Sequence, residues 1–169
     1  TGLDKTYFGP DQTICRAQFA VILYRMAGSP KVAYKETFKD VADNQFYTDA
    51  VIWASQKDIG VITGYTSGDR AGCFGPTDPI TREQIAVMMY RYAQYKGESM
   101  EASSDMSGFE DSRQVSAFAA KGVAWAVSEK LIQGDNGMLN PQGDTNRAMC
   151  AAIIQRFQER QSLLTDEEE

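Results

Sequence analysis

Three stretches of the chain carry the same apolar spacing. Phe19, Ile22, Leu23 and Met26 fall at i, i+3, i+4 and i+7, as do Ile85, Met88, Met89 and Tyr92, and then Cys150, Ile153, Ile154 and Phe157. That period sets four apolar side chains on one face and predicts three helices, each with one buried stripe. Thr81 with Gln84 forms a capping box for the second helix, and Asn146 offers a cap to the third, whereas Cys15 is a poor cap for the first. Two further apolar segments, about 46–58 and 116–130, centre on Trp53-Ala54 and Trp125-Ala126 and predict a second helix type. Glycine-containing loops, Gly64 to Pro76 and Gly134 to Pro141, separate the two types and leave room for only very short strands.

The elements recur in order. Phe8-Gly9-Pro10, Phe74-Gly75-Pro76 and Leu139-Asn140-Pro141 each precede an arginine, and those arginines, Arg16, Arg82 and Arg147, stand 66 and 65 residues apart. A second arginine follows nine residues later in each copy, at Arg25, Arg91 and Arg156. Phe38-Lys39-Asp40 and Phe109-Glu110-Asp111 introduce the two tryptophan segments, which end at Val61-Ile62-Thr63-Gly64 and Leu131-Ile132-Gln133-Gly134. Thr1-Gly2 aligns with Thr63-Gly64, so residues 1–28 read as the second half of a first repeat whose own first helix is absent. Residues 38–96 and 109–160 read as complete repeats, joined by linkers at 28–37 and 96–108, with an acidic tail over 161–169. A helix pair cannot bury its stripe alone, which predicts a mainly all-α fold of tandem helix-loop-helix repeats sharing one core. The expected open apolar face of residues 1–28 (Phe19, Leu23, Met26) calls for an upstream segment or a second copy of the chain to cover it.

Composition narrows the chemistry. The 169 residues include no histidine, which removes imidazole-dependent catalysis and metal sites. Cys15, Cys73 and Cys150 form no CxxC, so neither a disulfide framework nor a cysteine metal site is expected. Asp135-Asn136-Gly137 lacks the acidic spacing of a calcium loop. No apolar run reaches the roughly 18–20 residues of a membrane span. Seventeen basic against 23 acidic residues give a net charge of −6, which argues against non-specific nucleic-acid binding. Asp40 and Asp111 sit at a loop-to-helix entry, where capping explains them, and nothing marks a catalytic residue or calls for a cofactor.

The ordered set Phe-x-Asp, Trp-Ala, Ile-x-Gly-Tyr, glycine-rich loop, Phe-x-Pro and Ile-Thr-Arg-Glu-Gln, carried by Phe38 to Tyr92, resembles the S-layer homology repeat. Residues 109–157 resemble it more weakly, and 2–27 resemble its back half. The resemblance implies a pseudo-threefold three-helix bundle with prongs. It implies a non-catalytic, extracellular carbohydrate-binding module that anchors a surface protein to the cell wall or S-layer of mainly Gram-positive bacteria. The ligand it implies is secondary cell-wall polysaccharide, often pyruvylated, held in grooves where Arg16, Arg82 and Arg147 lie, with Thr81, Gly64 and Tyr65 beside them.

The residues suit such a ligand. A guanidinium fork binds a carboxylate by two parallel charge-assisted bonds, which an ammonium cannot reproduce. Free amides of a helix first turn would add to the anion site. The glycine-rich loop would let backbone donors come close, and Tyr65 would offer a flat wall. The alternative for these arginines is a structural pairing that holds neighbouring prongs, and for Arg25, Arg91 and Arg156 a solvated or salt-bridged place. Trp53 and Trp125 read as core. The third copy has lost the tyrosine after Gly134 and the threonine before its arginine, so Arg82 and Arg16 are expected to matter more than Arg147. A protein-interaction or self-assembly module is the rival function.

Overall fold

The computed structural model of the chain describes residues 9–98, 100 and 105–166. The matches drawn above for Thr1-Gly2 and Phe8, and the last residues of the acidic tail, lie outside the described residues. Among the described residues five α-helices follow one another: α1 (Arg16–Met26), α2 (Thr48–Ser55), α3 (Arg82–Tyr95), α4 (Ala120–Ser128) and α5 (Arg147–Asp166). Among the described residues only isolated bridges and no strands occur, so the fold is mainly all-α.

Local rules account for the helix starts. Thr81 Oγ1 accepts from the Gln84 amide at 3.3 Å, while Gln84 Oε1 accepts from the Thr81 amide at 3.2 Å. Asn146 Oδ1 caps α5 through the Met149 amide at 2.8 Å. At α1 the cap residue is Cys15, and Gln18 Oε1 still reaches back to its amide at 2.9 Å. The tryptophan helices are shorter than the apolar segments suggested. Left-handed backbone at Gly60 (φ +62°) and Lys130 (φ +57°) turns the chain back, and the amides of Ile62 and Leu131 then return to the Ala54 and Ala126 carbonyls at 3.0 and 2.8 Å.

Three segments just before α1, α3 and α5 close a backbone ring. The Ile80 amide donates to the Ile14 carbonyl (3.0 Å), the Thr145 amide to Ile80 (2.9 Å), and the Ile14 amide to Thr145 (3.0 Å). Around that ring each helix start docks on the following loop. Arg16 and Ala17 donate to Asp78 and Pro76, Arg82 and Glu83 to Gly143 and Pro141, and Arg147 and Ala148 to Gln12 and Pro10. The exchange is cyclic and threefold, as the shared stripes required.

Packing interlocks the repeats. Helix α2 lies on α1 and α4 on α3, so each tryptophan helix covers the arginine-started helix of the repeat before it. The α3–α4 crossing is close: a Cβ on Gly122 would stand 2.9 Å from the Val87 Cα. Trp53 and Trp125 are 2% and 1% exposed, Trp53 lying between the Tyr24 and Tyr95 rings and Trp125 against Tyr90. Phe19, Leu23, Ile85, Met89 and Phe157 belong to one continuous core. Phe19 and Leu23 are fully buried and Met26 partly so, which corrects the expectation that this stripe stays open for a covering segment. Arg160 pairs with Glu98 and Glu129 and ties α5 to the ends of α3 and α4.

Candidate functional site

The loop ahead of α3 is held from below by Asp40. Its Oδ1 accepts from the Phe74 amide at 2.7 Å and its Oδ2 from Gly75 at 2.8 Å. Asp111 repeats the clamp on Leu139 and Asn140, at 2.7 and 2.6 Å. Neither aspartate caps a helix, so the capping assignment is replaced by a loop clamp. Burial alone would raise the Asp111 carboxyl, but the two amides and the nearby Arg82 outweigh it and hold it below the usual carboxylate value.

The clamped loops present carbonyls to the arginines. Arg16 Nε donates to the Phe74 carbonyl at 2.9 Å and Arg82 Nε to the Leu139 carbonyl at 2.7 Å. Each arginine thus staples its helix to the next repeat. Arg16 is 7% exposed, lies 4.8 Å from the Phe74 ring centroid and 5.1 Å from that of Tyr65, and donates through Nη2 to the Thr63 carbonyl at 3.3 Å. Burial lowers its guanidinium from the ordinary value, and Tyr65 and Asp78 partly restore it. Arg82, half-buried, is lowered by burial and opposed by Asp111 and Asp135.

Four other expected site features take structural places. The first-turn amides of Arg16, Arg82 and Arg147 already donate to loop carbonyls, so they do not form a free anion cradle. Gly64 is required by close packing, because a Cβ there would stand 2.6 Å from the Cys73 carbonyl oxygen and from the Phe38 ring. Thr81 is engaged as a cap. Tyr65 donates its hydroxyl to Asp78 Oδ2 at 2.6 Å, and Arg70 pairs with the same oxygen at 2.6 Å while lying 4.3 Å from the Tyr65 ring centroid. Burial pushes the Tyr65 phenol up, and the bond to Asp78 adds to this.

Open space lies on the other side of the arginines. A cleft of about 60 Å³ is lined by Arg16, Thr63, Gln84, Met88, Arg91 and Phe118. Two guanidiniums converge there on one residue, because Arg91 Nη1 donates to Thr63 Oγ1 at 3.4 Å while Arg16 bonds the Thr63 carbonyl. Burial lowers the Arg91 guanidinium from its ordinary value. A second cleft, about 370 Å³, is lined by Arg147, Gln18, Ile22, Arg25, Phe46 and Ile154, among others. Arg147, Gln18, Ile22, Arg25 and Phe46 correspond by repeat position to Arg16, Gln84, Met88, Arg91 and Phe118. Among the described residues neither cleft is lined by a carboxylate.

Around Arg82 the space is only about 10 Å³ and includes Glu83. The expected order of importance among the three arginines therefore does not follow the room beside them. Four residues passed over as sites, Arg25, Arg91, Phe46 and Phe118, line the two arginine-paired clefts, and Arg25 and Phe46 also border a neighbouring cleft of about 380 Å³ that contains Asp43 and Asp49. Their signal in the sequence is positional: an arginine nine residues after each staple, and a phenylalanine seven residues before each tryptophan. No cluster of metal-ligating residues occurs among the described residues.

A family model for the S-layer homology domain matches residues 37–86 and 108–148, just over half of the chain. The chain belongs to the S-layer homology domain family. Both aspartate clamps, the Tyr65 cluster and Arg82 fall inside the matched segments of this S-layer homology chain. It is 31% identical to an endoglucanase of Bacillus sp. (strain KSM-635) over 91% of its own length but only 16% of that protein's. It is 26% identical to a cellulosome-anchoring protein of Acetivibrio thermocellus, over 90% of the chain and 34% of the relative. A cell surface glycoprotein 1 of the same species is 28% identical over 90% of the chain and 7% of its own length. The S-layer homology chain thus spans about a third or less of each of these relatives. No helix among its described residues is long and apolar enough to cross a membrane.

Proposed function

We propose that the chain is a non-catalytic module that anchors a surface protein to the bacterial cell wall, with secondary cell-wall polysaccharide as its partner. Sugar-borne carboxylates, such as a pyruvyl ketal, are held in the inter-repeat clefts. The support is the pairing of two guanidiniums in each of two repeat-equivalent clefts with no carboxylate lining either. Open space beside two guanidiniums leaves room for an incoming anion, and a guanidinium takes a carboxylate bidentately. In this assignment Arg16 and Arg147 form one wall, Arg91 and Arg25 the other, while Arg82, Thr81, Gly64 and Tyr65 shape the loops. The net charge of −6 repels an acidic polymer at long range, but salt screens that over about 8 Å.

The units within this proposal are 1–28, 38–96 and 109–160, acting outside the cell at a Gram-positive wall or S-layer. The printed names of the anchoring and cell-surface relatives accord with it. The test is co-sedimentation of the purified chain with wall sacculi before and after extraction of the secondary polymer. Binding to intact walls and its loss on extraction are expected. Undiminished binding to extracted walls would overturn the reading and favour a protein-interaction or self-assembly role.

A further inference from the structure

Two large aromatic side chains stand in solvent at equivalent places: Phe46 is 72% exposed and Phe118 62%. Each lies two residues before a tryptophan helix and lines one of the two arginine-paired clefts. A single exposed phenylalanine is ordinary, but its recurrence at the same repeat position beside the same pair of cations is not a packing requirement.

The turns that carry these rings are held in place. Below Phe118, the buried Glu83 accepts from the Ser116 amide at 3.0 Å and the Ser116 hydroxyl at 2.8 Å, so a buried carboxylate is committed to that turn. Below Phe46, the Thr48 hydroxyl donates to the Ala42 carbonyl at 2.7 Å and accepts from the Gln45 amide at 3.0 Å. A ring fixed before the ligand arrives loses little freedom on binding. One face of a pyranose ring presents only C–H groups, whose positive edges suit the negative face of a phenyl ring.

We propose that Phe118 and Phe46 are platforms on which the apolar face of a pyranose ring lies while its carboxylate enters the arginine pair. The inference rests on the anionic-glycan reading above and deepens it, because it selects a carboxylate carried on a sugar ring over a free small carboxylate. Specificity then comes from two contacts set apart in space, cation to carboxylate and ring to ring.

The test uses the full chain, the methyl glycoside of an N-acetylhexosamine carrying a 4,6-pyruvyl ketal, the same glycoside without the ketal, and sodium pyruvate. Titration is followed by calorimetry and by aromatic-region NMR, with circular dichroism as the folding control. The F46A/F118A double variant is expected to lose at least tenfold in affinity for the ketal sugar. The F46W/F118W variant is expected to keep or raise it. Wild-type affinity in a folded F46A/F118A chain would overturn this inference alone, leaving the arginine site standing. Failure of the parent chain to bind the ketal sugar would overturn the anionic-glycan reading and this inference together.

Discussion

At the scale of single residues, Asp111 shows how a repeated acid earns its place. It is 3% exposed and receives two loop amides, bonds to a charged acceptor worth about 1.5–3 kcal/mol each. Asp111→Ala should therefore cost about 3 kcal/mol or more in thermal or urea unfolding. The sign with pH follows from its depressed folded value. Its stabilisation is complete above the unfolded carboxyl value of about 3.9 and is lost as pH falls through the lower folded one. The stability gap between the parent and Asp111→Asn should narrow as pH is lowered from 5 toward 2, and a constant gap would contradict the clamp.

Arg16 and Gly64 make the same point from other directions. Arg16 is a buried staple, so Arg16→Ala should lower stability as well as affinity, and the binding test is better placed on Arg91 and Arg25. Gly64→Ala should cost about 2 kcal/mol in unfolding experiments, since its Cβ meets a backbone carbonyl that cannot swing aside. The role of Gly64 was not readable in a sequence, because the contact is with Phe38 and Cys73. Asp40 was misread for a similar reason. Any aspartate near a helix entry looks like a cap, while its true partner, the Phe74 amide, lies 34 residues on.

At the scale of elements, what is local was legible. The stripe Ile85, Met88, Met89, Tyr92 and the Thr81–Gln84 box lie within one or two turns of each other, and both occur as expected. Met89 is fully buried in the shared core, so Met89→Asp should cost several kcal/mol. Unchanged thermal unfolding in that variant would remove the core assignment. Which helix covers which was not legible, because periodicity shows that a face is buried but not by what. Ala50 and Gly122 occupy the same repeat position, yet only the α3–α4 crossing is tight enough to need glycine. Gly122→Val should thus destabilise the chain by about 1–3 kcal/mol through its contact with the Val87 backbone.

At the scale of the whole molecule, three loops and three helix starts form a cyclic set of backbone bonds, and the arginine staples run in the same direction around it. That closure brings an arginine from one repeat opposite an arginine from the next, a juxtaposition no single repeat contains. The 66- and 65-residue offsets revealed the repeat, but not that Arg91 would share Thr63 with Arg16. The central claim is that these paired guanidiniums hold a sugar-borne carboxylate. The most direct measurement is calorimetric titration of a pyruvylated wall-polymer fragment into the parent chain and into Arg25→Gln/Arg91→Gln, with folding verified by circular dichroism. Each cleft then loses one charge-assisted contact, worth about 1.5–3 kcal/mol, which predicts at least a roughly tenfold weaker fragment affinity in the folded double variant. Parent-like affinity in that variant would contradict the account.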